Sequence, residues 1–162
     1  MKGVMIRAAR VSDYQDIYEL SACPNVVRDT LQLPYVSLDQ RKKRLEEVRP
    51  GEHLLVAEVD GKVVGQLGLG CARYRRSHVG QIFMAVHDDY QNQGIGTALM
   101  AAAIDLADNW LNLKRLELEV VTDTAPAIHL YEKFGFVIEG THKAHTFREG
   151  QYVDTYSMAR VR

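Results

Sequence analysis

Val86-His87-Asp88-Asp89-Tyr90-Gln91-Asn92-Gln93-Gly94-Ile95-Gly96-Thr97 leads from an apolar segment, through a polar loop with two glycines, into a helical pattern. Upstream, Val79–Val86 reads as a strand. Downstream, Leu99, Ala103, Leu106 and Trp110 fall on one stripe, with Met100, Ile104, Ala107 and Leu111 beside it, which predicts a long helix with a wide buried face. The loop therefore joins a strand directly to a helix N-terminus. There the first N–H groups lack intrahelical acceptors and the dipole is positive, an arrangement that suits a phosphate. Glycines at 94 and 96 leave the backbone open to such a group, and Thr97 adds a hydroxyl.

Two familiar phosphate loops do not fit. A P-loop ends in Gly-Lys-Ser/Thr, and no lysine lies here. A dinucleotide fingerprint needs a third glycine where Leu99 stands, and a βαβ context. Here the preceding strands are antiparallel, because Leu54–Val59 and Val63–Leu69 flank the hairpin signal Asp60-Gly61. Glu117 mimics the acidic residue of that fingerprint but reads as part of the strand Leu116–Val121. A glycine-bearing helix start with no ligand is the plain alternative.

Working outward, Ile6–Arg10 reads as a first strand. Ser12 with Gln15 forms a capping-box pattern ahead of a helix over 12–22. Pro24-Asn25 breaks that helix, residues 23–36 read as irregular, and Ser37 with Gln40 opens a charge-rich helix that ends before Pro50-Gly51. After Val121, Asp123 or Thr124 reads as the N-cap of a short helix with Pro126 in its first turn and Gly135 past its end. Phe136–Lys143 and Tyr152–Arg160 close the chain as strands across Glu149-Gly150. The order β α α β β β α β α β β predicts a mixed α+β fold, with about four helices on a mostly antiparallel sheet of six to seven strands.

Composition narrows the function classes. With 162 residues, 46% hydrophobic and 25% charged, residues 1–162 read as one globular domain. The net charge of −1 argues against a nucleic-acid partner, which needs a basic surplus. No apolar run approaches the roughly 18 residues of a membrane span, and the N-terminus has no signal-peptide core, so a cytoplasmic protein is expected. Cys23 and Cys71 form no CxxC and read as reduced thiols, with no metal site expected.

The pair of motifs carries a resemblance. Gln91-x-x-Gly94-x-Gly96 after a strand is similar to the acyl-CoA pyrophosphate loop of the GNAT N-acetyltransferase superfamily. Ala125-Pro126-Ala127-Ile128-His129-Leu130-Tyr131-Glu132-Lys133-Phe134-Gly135-Phe136 resembles its second signature helix. Within the superfamily the chain is most similar to the YhhY-type L-amino acid N-acetyltransferases of bacteria, through Thr30–Pro34, Arg75–His78, Asp108–Leu111 and Glu149–Asp154. The last segment also resembles ribosomal-protein and polyamine acetyltransferases.

The resemblance implies a GNAT fold in which the strand ending at Val86 and the strand from Leu116 are parallel and splay apart. It implies acetyl-CoA as cosubstrate, with Met84, Ala85 and Val86 along the pantetheine arm. Gln91, Asn92, Gln93, Gly94, Ile95, Gly96 and Thr97 would lie at the pyrophosphate, and Thr124, Ala127 and Lys133 alongside. Thr124 stands where the family often has Asn; it keeps an oxygen but loses the amide donor, and reads first as a helix N-cap. Tyr131 takes the position of the usual general acid; a phenol near pKa 10 keeps its proton at neutral pH and can give it to a leaving thiolate.

Gln81 aligns with a position that is often acidic in the family and serves as base, and an amide cannot accept that proton. A water relay through His78 or Glu119, an acceptor that arrives neutral, and binding of acetyl-CoA without turnover remain as alternatives. An α-amine with pKa near 8 is roughly one-tenth neutral at pH 7, whereas a lysine amine is well under a thousandth neutral. The site therefore suits the α-amine of a small amino acid-like substrate, attacked directly in a ternary complex. Polyamine and ribosomal-protein acetylation, and an acyl-CoA-binding sensor, are the alternative functions. Gln32 and Tyr35 are candidate substrate contacts on the irregular segment. Arg73, Arg75 and Arg76 read either as a solvated turn or as a phosphate or carboxylate contact, and His142 and His145 as surface groups near the acceptor side. A homodimer is compatible with the resemblance, but no seam is readable.

Overall fold

A computed structural model describes residues 3–162 of the chain. Among the described residues, seven strands form one sheet: β1 (Met5–Ala8), β2 (Glu52–Val59), β3 (Lys62–Cys71), β4 (Val79–Val86), β5 (Arg115–Val121), β6 (Val137–Arg148) and β7 (Gln151–Val161). Their spatial order is β1-β2-β3-β4-β5-β7-β6. Every pairing is antiparallel except β4 with β5. The Asp60-Gly61 hairpin forms as expected, with both residues at positive φ (50° and 82°), the requirement of a two-residue turn that matches strand twist.

Helices α1 (Tyr14–Ala22), α2 (Pro24–Asp29), α3 (Leu38–Glu46), α4 (Ile95–Asp105) and α5 (Ala125–Lys133) cover the sheet. On one face, α4 and α5 pack over Leu67, Leu69, Ile82, Leu116, Leu118 and Met158 in the larger core. On the other, α1 and α3 bury Ile17 and Leu45 against Val56 and Val63, while Leu20, Cys23 and Val26 meet Ala85. Alternation of side chains along each strand supplies both faces.

Three readings need correction, and a fourth holds in position alone. Pro24 does not leave 23–36 wholly irregular: it occupies the first turn of α2, where a missing N–H costs nothing. That adds a fifth helix to the expected four. The first helix is not entered through Ser12 and Gln15. The Asp13 carboxylate accepts the Arg10 N–H at 2.7 Å and also binds the Arg7 guanidinium through two contacts of 2.8 Å. Trp110 does not continue the buried stripe and is 77% exposed. Leu106–Trp110 is a π-helical turn, closed by the Leu111 N–H to the Leu106 carbonyl. Its extra residue per turn rotates Trp110 off the packed face. Finally, Thr124 stands at the N-cap of α5, but its hydroxyl makes no capping bond. Ser37 and Gln40, by contrast, form the expected reciprocal cap on α3.

Candidate active site

The parallel pairing of β4 with β5 is short: Val79, Gly80 and Gln81 face Arg115, Leu116 and Glu117. Beyond Gln81 the strands part, while β4 stays paired to β3 as far as Val86. The edge of Ile82–Val86 turned away from β3 therefore has no strand partner among the described residues. Such an edge can bind an extended ligand through main-chain hydrogen bonds. The opening leads into a cavity of about 850 Å³. It is lined from the α4–α5 face by Gly96, Tyr131 and Lys133 and from the α2–α3 face by Gln32, Arg41 and Leu45. The cavity thus runs through the sheet where β4 and β5 separate.

The loop between β4 and α4 closes one end. Asn92 (φ 58°) and Gly94 (φ 82°) are left-handed, and the first helical bond runs from the Ala98 N–H to the Gly94 carbonyl. Ile95, Gly96 and Thr97 thus begin the helix with N–H groups that have no acceptor within it. A Cβ on Gly96 would stand 3.0 Å from Leu130 Cδ2 and 3.5 Å from Met84 Cε. Glycine there lets α4 approach α5 as well as keeping the turn bare. Gln91 acts differently from its neighbours. Its N–H binds the Asp88 carbonyl at 3.3 Å, and its side chain reaches the Val86 carbonyl and the Asp88 carboxylate, each at 3.3 Å. Asp88 also accepts the Asn25 N–H at 3.0 Å, which ties the loop to α2.

Most of the residues singled out from sequence come together here. Gln81, Met84, Ala85 and Val86 line the cavity from β4, and Gln91, Asn92, Gly94, Ile95, Gly96 and Thr97 from the loop and helix start. Thr124, Ala127, Tyr131 and Lys133 line it from α5 and its approach, and Gln32 from the far side. Two do not join them. Gln93 turns back, donating from its side chain to the Asp89 carbonyl at 2.9 Å. Tyr35 is fully exposed at φ 62° and lies outside the lining. The basic turn is also elsewhere: Arg73 donates to the Pro50 carbonyl and Arg76 to Glu117 at 3.0 Å. His78, proposed for a relay, does not line the cavity, whereas Glu119 does.

Tyr131 is 7% exposed, against Phe136 at a ring separation of 6.1 Å. Burial pushes its phenol up to about 12, because the charged form is poorly solvated there. Its proton is therefore held firmly. The Thr124 hydroxyl is buried and without a hydrogen-bond partner among the described residues. An orphaned buried hydroxyl in a cavity wall is costly unless a ligand or water meets it.

The sequence reading passed over several lining groups. Arg41 looked like one charge of a solvated helix, yet it lies one turn before Leu45, which is 7% exposed. That i, i+4 relation to α3's buried leucine was the available signal. Gln66, 4% exposed on β3, and Thr155, 3% exposed on β7, also line the cavity. Thr155 shares a 2.7 Å hydrogen bond with His145, whose ring stacks on His142 at 4.8 Å.

Known proteins match this arrangement. The model of the acetyltransferase (GNAT) family matches residues 14–136. The chain is 45% identical to the L-amino acid N-acetyltransferase AaaT of Escherichia coli K12, across the whole length of both proteins. It is 32% identical to an N-alpha-acetyltransferase of Sulfurisphaera tokodaii, over 98% of this chain and 93% of that one. The structure of a Vibrio cholerae spermidine N-acetyltransferase in complex with CoA and spermine superposes with a TM-score of 0.85 at 26% identity, covering 98% of this chain and 95% of that one. No helix among the described residues is long and apolar enough to cross a membrane. Agreement in sequence over the full length and in overall fold means that the chain belongs to the GNAT acetyltransferase family.

Proposed function

We propose that this protein transfers the acetyl group of acetyl-CoA to the α-amine of a small amino acid-like substrate in a ternary complex, with residues 1–162 acting as one cytoplasmic catalytic domain. The carrying observation is that one cavity joins the open β4 edge, the bare α4 start and Tyr131. The L-amino acid N-acetyltransferase relative supports the choice of acceptor.

The residues present fit acetyl-CoA. Open N–H groups from Asn92 to Thr97 suit its pyrophosphate, the unpaired edge at Met84, Ala85 and Val86 suits its pantetheine amides, and the orphaned Thr124 hydroxyl supplies a polar contact beside them. Gln91 braces the loop through its side chain. Ala127 and Lys133 border the same channel from α5. Acetyl-CoA supplies an activated thioester. The protein holds that thioester against the amine, which converts an encounter of two molecules into a local reaction. Tyr131 Oη keeps a proton ready for the departing sulfur, and water restores it afterwards.

The acceptor nitrogen loses a proton as its bond to the acetyl carbon forms. Gln81 can orient the amine but cannot take that proton. Glu119, on β5 at the cavity wall, receives it through water in this reading. Gln32 contacts the acceptor from the opposite side.

Thiol release from acetyl-CoA, followed across L-methionine, L-phenylalanine, spermidine, a peptide N-terminus and an amine-bearing antibiotic, tests the proposal. The expected result is release with an L-amino acid and a product heavier by one acetyl group. Acetyl-CoA binding by calorimetry without thiol release for any amine would make the protein a sensor instead.

A further inference from the structure

Among the described residues Arg41 has no counter-ion, whereas Arg28 and Arg44, which line the same cavity, and Arg148 have theirs. Arg28 pairs with Asp29 at 2.5 Å and Asp123 at 3.3 Å, Arg148 pairs with Asp123 at 2.5 Å, and Arg44 pairs with Glu52. Arg41 meets no carboxylate among the described residues. Its Nη2 donates to Gln32 Oε1 at 2.5 Å. Its Nε is buried and has no partner among the described residues. Burial acts on it unopposed, pulling its pKa down.

A half-buried guanidinium with an idle donor is unfavourable to keep. Ser37 and Gln40 fix the start of α3, and Leu45, one turn after Arg41, anchors the same helix face in the core. The fold therefore holds Arg41 at the cavity wall. Gln32 orients one edge of the guanidinium through its Oε1, which leaves its NH2 group on the other branch of the amide.

We propose that Arg41, steadied by Gln32, anchors the α-carboxylate of the acceptor, so that the site selects free amino acids over amines that lack this group. The proposal rests on the amino acid reading above and names the group that enforces it. A guanidinium matches a carboxylate through two parallel N–H bonds. The remaining charges agree. Asp29 and Asp123 are neutralised by Arg28 and Arg148, so Glu119 is left to face the acceptor's ammonium group; its neighbour His145 Nδ1, 4.0 Å away, is itself hydrogen-bonded to Thr155 at 2.7 Å. Lys133 also lines the cavity, but from α5, on the other face of the sheet. Arg41 and Glu119 thus give the acceptor part of the cavity a positive and a negative wall, as a zwitterion requires. Polyamines and peptide N-termini offer no α-carboxylate.

The test compares kcat/KM for L-methionine and L-methioninamide in the wild type, Arg41→Gln and Arg41→Lys. The wild type should favour the acid by about 10- to 100-fold. Arg41→Gln should erase most of that preference through a higher KM for L-methionine, and Arg41→Lys should retain an intermediate part. Because the native charge is unpaired, the Tm of Arg41→Gln should be unchanged or higher. Equal use of acid and amide by the wild type, or the same acid-to-amide ratio in Arg41→Gln, would overturn the proposal while leaving amino acid acetylation standing. Acetylation of spermidine or a peptide with no L-amino acid accepted would overturn the acceptor reading and this inference together. Should Arg41→Gln fail to fold, the wild-type ratio and Arg41→Lys decide.

Discussion

The two ends of the cavity are built in opposite ways. At the α4 end the useful groups are main-chain N–H, held by Asn92 and Gly94 in left-handed conformations and by a helix that starts abruptly. At the α2–α3 end they are side chains, brought together from segments distant in sequence: Gln32, Arg41, Gln66 and Thr155. A backbone cradle accepts the invariant part of a cosubstrate and tolerates changes of side chain. A side-chain wall recognises one acceptor and can be rewritten by a few substitutions. Tyr131 lines the same cavity, and the proposed acetyl transfer is placed beside it.

Substitutions should separate these regions. The largest effect is expected at their junction: Tyr131→Phe should lower turnover by about ten- to a thousandfold, with little change in acetyl-CoA affinity by calorimetry. Unchanged thiol release in that variant would remove Tyr131 from the acid's role. Glu119→Gln comes next. Its kcat/KM for L-methionine should fall about tenfold at pH 7 and recover towards wild type above pH 9, where the acceptor arrives neutral. A loss of equal size at both pH values would mean that Glu119 does not handle the proton.

The pH profile of the wild type follows from the same groups. Burial raises the Tyr131 phenol to about 12, so it stays protonated through pH 10 and is lost only as pH rises towards that value. The neutral fraction of the acceptor amine meanwhile grows with pH. The plot of kcat/KM should therefore climb from pH 7 to about 9.5 with no falling limb. A descent beginning near pH 8.5 would show a different acid.

At the cradle, Gly94→Ala forces a side chain into a left-handed position. It should cost about 1 kcal/mol and raise the KM for acetyl-CoA several-fold, without altering the preference among acceptors. A change in acceptor preference would erase the division of labour between the ends. The smallest effect is expected at Trp110, because the π-helical turn exposes it: Trp110→Ala should shift stability by no more than about 0.5 kcal/mol, as read by thermal melting. A loss of several kcal/mol would return Trp110 to the core.

The division also explains what could be read from sequence. The hairpin at Asp60-Gly61, the strand at Val79–Val86, the glycine loop and the helix carrying Tyr131 are written in local patterns, and they formed where the patterns placed them. Local reading failed where one added residue or one nearby carboxylate changed the outcome. The π-helical turn at Leu106–Trp110 breaks a period of 3.6, and the cap from Asp13 depends on Arg7 as well as on the helix start. The side-chain wall at the α2–α3 end was largely illegible. Among the described residues Arg41 is distinguished by lacking a carboxylate partner, and that can be known only when the ion pairs of Arg28, Arg44 and Arg148 are seen around it. Tyr35 was a fair candidate by position, but the loop turns it outward.

Everything rests on where coenzyme A lies. A crystal structure with a non-hydrolysable acetyl-CoA analogue should place the pyrophosphate on the N–H groups between Asn92 and Thr97, the pantetheine in the gap beside Met84 and Val86, and the sulfur within reach of Tyr131 Oη. A pyrophosphate bound away from that turn, or a sulfur on the far side of the sheet from Tyr131, would contradict the account.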